Sequence, residues 1–98
     1  DTLSIDVEYA RALFFGVKKF ETEIDEILQK NSENWKISRM TAVDRNILRI
    51  SIFEMKYLKD VPEAVSINEA IELGKKFGDL DSPKFINGIL DAVKKLIH

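Results

Sequence analysis

Apolar side chains between Met40 and Leu58 (Met40, Val43, Ile47, Leu48, Ile50, Ile52, Phe53, Met55, Tyr57, Leu58) cover most of a helical circumference instead of tracing one narrow stripe. A helix that is apolar nearly all round must be buried on several sides. The stretch is therefore expected to be the central post of a small helical domain, with Arg45, Arg49 and Lys56 recurring near one edge. Its start is marked by Thr41 and, three residues on, Asp44. A hydroxyl cap with an acid at N3 satisfies amide hydrogens that otherwise lack partners, and a carboxylate there meets the positive pole of the helix.

Upstream, Tyr9, Leu13, Val17, Phe20, Ile24, Ile27 and Leu28 repeat at three-and-four spacing, which predicts one amphipathic helix from Ser4, its N-cap, to about Lys30. Phe14 and Phe15 widen its stripe, and Gly16 is expected to admit another helix closely. Asn31 to Asn34 reads as a turn, and Trp35 and Ile37 as an extended stretch in which the indole covers one end of the bundle. Pro62 ends the central helix, because the residue before a proline is pushed out of helical geometry. The third helix has two candidate starts. Either Asp60 caps it with Pro62 and Glu63 in the first turn, or Ser66 caps it with Glu69 at N3. Ile67, Ala70, Ile71, Leu73, Gly74 and Phe77 form its apolar side, and Gly78 stops it. Asp81 or Ser82 caps the last helix, Pro83 suits its first turn, and Phe85, Ile86, Ile89, Leu90, Val93, Leu96 and Ile97 make its apolar face. Gly88 is expected to mark close backbone packing. Period-two alternation is never sustained, so the prediction is an all-α bundle of four main helices around the central one, a single domain over residues 1–98.

Composition narrows the chemistry. The chain has 98 residues, enough for one core, with no cysteine and one histidine at the last position. Disulfide, zinc–thiolate and cysteine-nucleophile readings fall away, and no histidine stands within the fold as a general base. There is no Gly-rich phosphate loop. No catalytic residue, metal site or cofactor is expected, and the chain does not read as an enzyme. No apolar run reaches membrane-spanning length and no targeting segment opens the sequence, which points to the cytoplasm and away from membranes. The net charge of −2 argues against a strong generic grip on nucleic acid. It is unevenly spread: residues 1–34 carry four basic and eight acidic side chains, residues 35–98 eleven and nine, so any anion-seeking face belongs to the later part.

Two polar features stand out against this background. Asn68 and Glu69 sit beside the apolar face of the third helix, and Asn87 lies inside the fourth, where asparagine is unfavourable unless its amide finds a partner. That partner is either another helix or another molecule. Phe77 and Phe85 bracket the loop Gly78 to Lys84, which contains Asp81. Either both rings are core and Asp81 is an ordinary cap, or the rings stack single-stranded bases while Lys84 and the helix start hold a phosphate.

The runs M-T-A-V-D-R-N-I-L-R-I-S-I-F-E-M from Met40, V-P-E-A-V-S-I-N-E-A-I-E-L-G-K-K-F-G from Val61 and D-S-P-K-F-I-N-G-I-L-D from Asp81 resemble the NusB family of transcription antitermination factors. The likeness spans Trp35 to Val93, and residues 7–30 are compatible with the family's preceding helix. The resemblance implies an all-helical RNA-binding protein that pairs with the ribosomal protein doubling as NusE. The pair would bind boxA-type single-stranded RNA in nascent rRNA leaders and join the antitermination complex on RNA polymerase. On matching positions, Phe77, Asp81, Lys84 and Phe85 are implied at the RNA surface, and Asp44, Glu63, Asn68 and Glu69 on the NusE side. The family's leading Arg-rich helix has no counterpart here. The chain is therefore expected to be trimmed at its N-terminus, to keep its partner face, to bind RNA feebly alone, and to pair with a second copy through the first helix by way of Phe14, Phe15 or Val17. Two rival readings differ in class: the related RNA-binding domain of rRNA cytosine methyltransferases, whose catalytic domain and thiol this chain lacks, and a helical interaction module without an RNA role.

Overall fold

Five helices follow one another: α1 (Thr2–Lys19), α2 (Glu21–Asn31), α3 (Ala42–Tyr57), α4 (Glu63–Phe77) and α5 (Ser82–Ile97). The coordinates are a computed structural model that describes residues 2–32 and 40–97; Trp35 and Ile37 lie outside the described residues. The all-α expectation holds, and α3 is the enclosed post. It packs against each of the other four helices, and Leu48 and Ile52 retain no exposed surface. Ile24 and Leu28 from α2, and Ile86, Leu90 and Val93 from α5, close over it with none of theirs exposed. Each such side chain contributes about 1.5–3 kcal/mol through burial. The buried residues of α4 are small, namely Ser66, Ala70 and Gly74, so this helix lies close to its neighbours. The Ile86 methyl stands 2.8 Å from where a Cβ at Gly74 would be.

The four-helix expectation needs one correction. The first predicted helix is two, because Phe20 leaves helical geometry at φ −107° and ψ 17°. Flanking hydrogen bonds survive, Phe20 N–H to the Gly16 carbonyl at 3.1 Å and Ile24 N–H to the Phe20 carbonyl at 2.9 Å, so the chain is kinked, not cut. The cause is aromatic packing. The Phe20 ring stacks on Tyr57 with centroids 4.2 Å apart and on Phe53 at 6.3 Å. One turn earlier, Gly16 admits α3 closely, since the Phe53 ring occupies the space of any Cβ there. Gly88 behaves oppositely: it is exposed and nothing lies within 4 Å of its would-be Cβ, so it permits no close packing. It stands off the stripe formed by Ile86, Ile89, Leu90 and Val93.

The uneven charge is largely used up between α2 and α3. Arg49 donates from Nε and Nη2 to the two carboxylate oxygens of Asp25, both at 2.8 Å, with Glu21 at 3.6 Å. Lys56 reaches Glu23 at 2.6 Å, and that bond holds its ammonium above the ordinary lysine range. Arg49 and Lys56 therefore form a seam with α2, while Arg45 donates to the Met40 carbonyl at 3.4 Å.

The N-cap of α3 is Thr41, whose Oγ1 accepts the Asp44 N–H at 3.1 Å, in agreement with the sequence. Neither candidate start of α4 survives intact. Its N-cap is Pro62 with no side-chain cap bond, and Ser66 lies inside the helix, 1% exposed, because its hydroxyl is taken up by α3. Ser66 Oγ is 2.8 Å from Ser51 Oγ and donates to Glu54 Oε1 at 2.9 Å, while Tyr9 of α1 donates to Glu54 Oε2 at 2.6 Å. This polar chain ties α1, α3 and α4 together. Desolvation, then the Glu54 bond, push the Tyr9 phenol up to about 12 from the ordinary 10.0. Burial raises Tyr57 as well.

Two outcomes follow for stability. Gly16→Ala should destabilise by about 1–3 kcal/mol through overpacking against Phe53, whereas Gly88→Ala should stabilise by about 0.5–1 kcal/mol; denaturant unfolding of both variants measures the opposite signs. The folded chain holds its phenol protons more tightly than the unfolded one, which releases them from about pH 10. Stability should therefore be unaffected by these groups below pH 10 and fall as pH rises from there towards 12, with a shallower fall in Tyr9→Phe. Tyrosinate absorbance and unfolding curves over that window report it.

Candidate nucleic-acid interface

The corner between α4 and α5 is shaped by a short, pinned loop. Gly78 caps α4 with φ −95° and ψ −168°, extended backbone open to any residue, so its glycine serves space and not a left-handed turn. The Ser82 side chain occupies the place of a Cβ at Gly78. Ser82, 1% exposed, turns its Oγ back to accept the Asp79 N–H at 2.8 Å. It therefore ties the loop instead of capping α5, and Asp81 precedes the helix with its carbonyl accepting the Phe85 N–H at 3.1 Å.

This geometry separates the two phenylalanines that the sequence set as a pair. Phe77 is 64% exposed and is not part of the core, and Leu73 above it is also partly open. Phe85 is half-buried against the core. It forms one wall of a pocket of about 210 Å³ whose other walls are Met40, Thr41, Asp44, Asp79, Asp81 and Ser82. Asp81 and Lys84 are exposed. The sequence reading missed Leu80, which stands 97% exposed between Phe77 and Asp81; an isolated apolar residue inside a loop of acids was the available signal. Lys76, exposed in the last turn of α4, adds a second cation to the corner.

The four residues implied on a partner face do not gather in one place. Glu63 opens α4 and Asn68 and Glu69 are exposed on it. Along the 15 residues of α4, at about 1.5 Å each, Glu63 and Phe77 stand roughly 20 Å apart. Asp44 is 7% exposed and belongs to the Phe85 pocket at the other end. Asn68 and Asn87 are both exposed, and neither ties one helix to another among the described residues.

The NusB family model matches residues 1–95. The chain belongs to the NusB family. It is 52% identical over 87 residues to the transcription antitermination protein NusB of Myxococcus xanthus, covering 89% of this chain and 62% of that one. Among solved structures, T. maritima NusB superposes with a TM-score of 0.86 at 42% identity, covering 90% of this chain and 62% of its own. A chain in a crystal structure of a plectonemic RNA supercoil gives 0.84 at 35% identity, covering 91% and 64%. This NusB-family chain thus spans a little over six-tenths of the length of such relatives. The family match takes in α1 and α2, beyond the Trp35–Val93 run that carried the resemblance. Among the described residues no helix is long and apolar enough to cross a membrane, and no cluster of three or more His, Cys, Asp or Glu is arranged to hold a metal ion.

Proposed function

We propose that this NusB-family chain is a cytoplasmic, non-enzymatic transcription antitermination factor that binds boxA-type single-stranded RNA together with NusE and joins the antitermination complex on RNA polymerase. The observation that carries the reading is the α4–α5 corner: a 64% exposed Phe77 beside exposed Asp81 and Lys84, on a loop held by Ser82. An open aromatic ring stacks on any base face, and the neighbouring lysines meet the phosphates. Phe85 forms part of the pocket wall beside it. The exposed α4 residues Asn68 and Glu69, with Glu63 at the helix start, supply a polar face for NusE, and Asp44 contributes from the corner. The small net charge of −2 leaves too little attraction for tight RNA binding by this chain alone.

A second copy of the chain packs on α1. Phe14 and Phe15 are 59% and 62% exposed. Phe14 lines a groove of about 390 Å³ with Leu13, Val17 and Ile50. On its rim Lys18 and Glu21 pair at 3.7 Å, one turn apart. Opposite charges one turn apart exchange partners across a two-fold axis, which makes the face self-complementary.

Titration of boxA RNA should show weak binding to the chain alone and tight binding with NusE. Phe77→Ala and Lys84→Ala should each weaken the complex about tenfold with melting unchanged, whereas Phe85→Ala also destabilises by about 2–3 kcal/mol. Tight binding without NusE, or indifference to both surface variants, argues for a helical interaction module instead. Sedimentation at rising concentration should reveal dimers that Phe15→Ser abolishes; a monomer throughout removes the second copy.

A further inference from the structure

The bend between α1 and α2 is held by side chains and not by the backbone. Leu13, Val17, Phe20, Ile24 and Ile27 continue on one apolar stripe across it, as a single straight helix requires. The bonds on either side, Phe20 N–H to the Gly16 carbonyl and Ile24 N–H to the Phe20 carbonyl, are those of an unbroken helical ladder. Phe20 gives α2 no side-chain cap bond, so the bend brings the backbone no bond that a continuous helix lacks. What the bend secures is the seat of the Phe20 ring, with centroids 4.2 Å from Tyr57 and 6.3 Å from Phe53. With that seat comes the return of α1 onto α3, where Gly16 admits the Phe53 ring and Tyr9 donates to Glu54 at 2.6 Å.

These contacts join α1 to α3, and none of them requires the two helices to belong to one molecule. Straightened at Phe20, residues 2–31 form one rod of about 45 Å, as long as the 43 Å long axis of the folded chain. The 18 residues of α1 then stand clear of α3. In a single chain that leaves Leu13, Val17 and the Phe53 side of α3 in water, which disfavours the open form. A second copy removes the cost, because each arm finds on the other's α3 the same Phe53 fit and the same Glu54 acceptor. We propose that the α1–α2 bend is an exchange hinge: two copies straighten at Phe20 and each lays its α1 on the α3 of the other. Exchange of an identical element keeps every contact except those at the hinge, which makes it a low-cost route to a dimer. Where the arms cross near the hinge, the outward Phe15 rings are covered. The inference rests on the reading that a second copy meets α1, and it states how the two chains are joined.

The chain has no cysteine, so paired spin labels are introduced by Glu8→Cys on α1 and Glu26→Cys on α2, both exposed positions. Labelled protein is diluted with an excess of unlabelled chain, and pulsed electron resonance reads the distance within one chain below and above the concentration at which dimers form. On a continuous helix the two positions stand about 27 Å apart. The dilute monomer should give a shorter distance, and the dimer should move to the longer one. Phe20→Ala removes the ring that holds the closed form and leaves a good helix former at the bend, so it should raise the dimer association constant about three- to tenfold. A dimer whose label distance keeps the monomer's value overturns the exchange and leaves surface contact between two closed chains standing. The long distance already present in the dilute monomer also overturns it. No dimer at any concentration removes both readings. If Phe20→Ala does not fold, the label distances with the hinge unaltered carry the decision alone.

Discussion

The enclosure of α3 is the constraint from which the other helices take their places. A rod whose apolar side chains point in most directions has no stable existence in water, and it becomes compatible with a 98-residue chain only if neighbours approach from every side. Leu48 and Ile52, wholly removed from solvent, are the measure of that closure. The devices that allow it are small side chains and a kink: Gly16 under the Phe53 ring, Gly74 under Ile86, and the bend at Phe20 that turns the chain over Tyr57. Charge plays the secondary part of setting register, with Arg49 and Lys56 facing the acids of α2.

What this closure leaves outside is as informative as what it covers. Large apolar side chains remain open in two places, Phe14 and Phe15 on α1, and Phe77 with Leu80 at the α4–α5 corner. The two sites differ in chemistry. The α1 face is a shallow apolar groove with a paired rim of both signs, suited to another protein surface. The corner combines one exposed ring, Phe77, with the exposed lysines Lys76 and Lys84 and a pocket lined by three acids.

Much of this was legible in the sequence, and the misses share a cause. The central post, the Thr41 cap and the close of α4 at Gly78 follow from side-chain periodicity and cap chemistry, both local. The bend at Phe20 was not legible, since Phe20 fits the same helical stripe whether or not the chain bends there; only its stacking on α3 residues distant in sequence decides it. The two mid-helix glycines could have been told apart. Gly16 shares a face with Leu13 and Phe20, whereas Gly88 falls opposite Ile86 and Leu90. Ser66 was readable only as a cap, because its actual partners, Ser51 and Glu54, sit on another helix. Of the site, the residue identities came from motif likeness, but the division of labour between an open Phe77 and a half-buried Phe85 needed the packing of the loop, as did the separation of Asp44 from Glu63.

The Ser82 latch has a consequence for the energetics of recognition. With Asp79 N–H bonded to Ser82 and Gly78 wedged against the same side chain, the segment from Phe77 to Asp81 holds its shape before anything arrives. A preorganised loop loses little conformational entropy when a ligand settles on it, so more of the contact free energy survives as affinity. Specificity at such a corner is then written in a rigid template, and the adjusting is left to whatever settles on it.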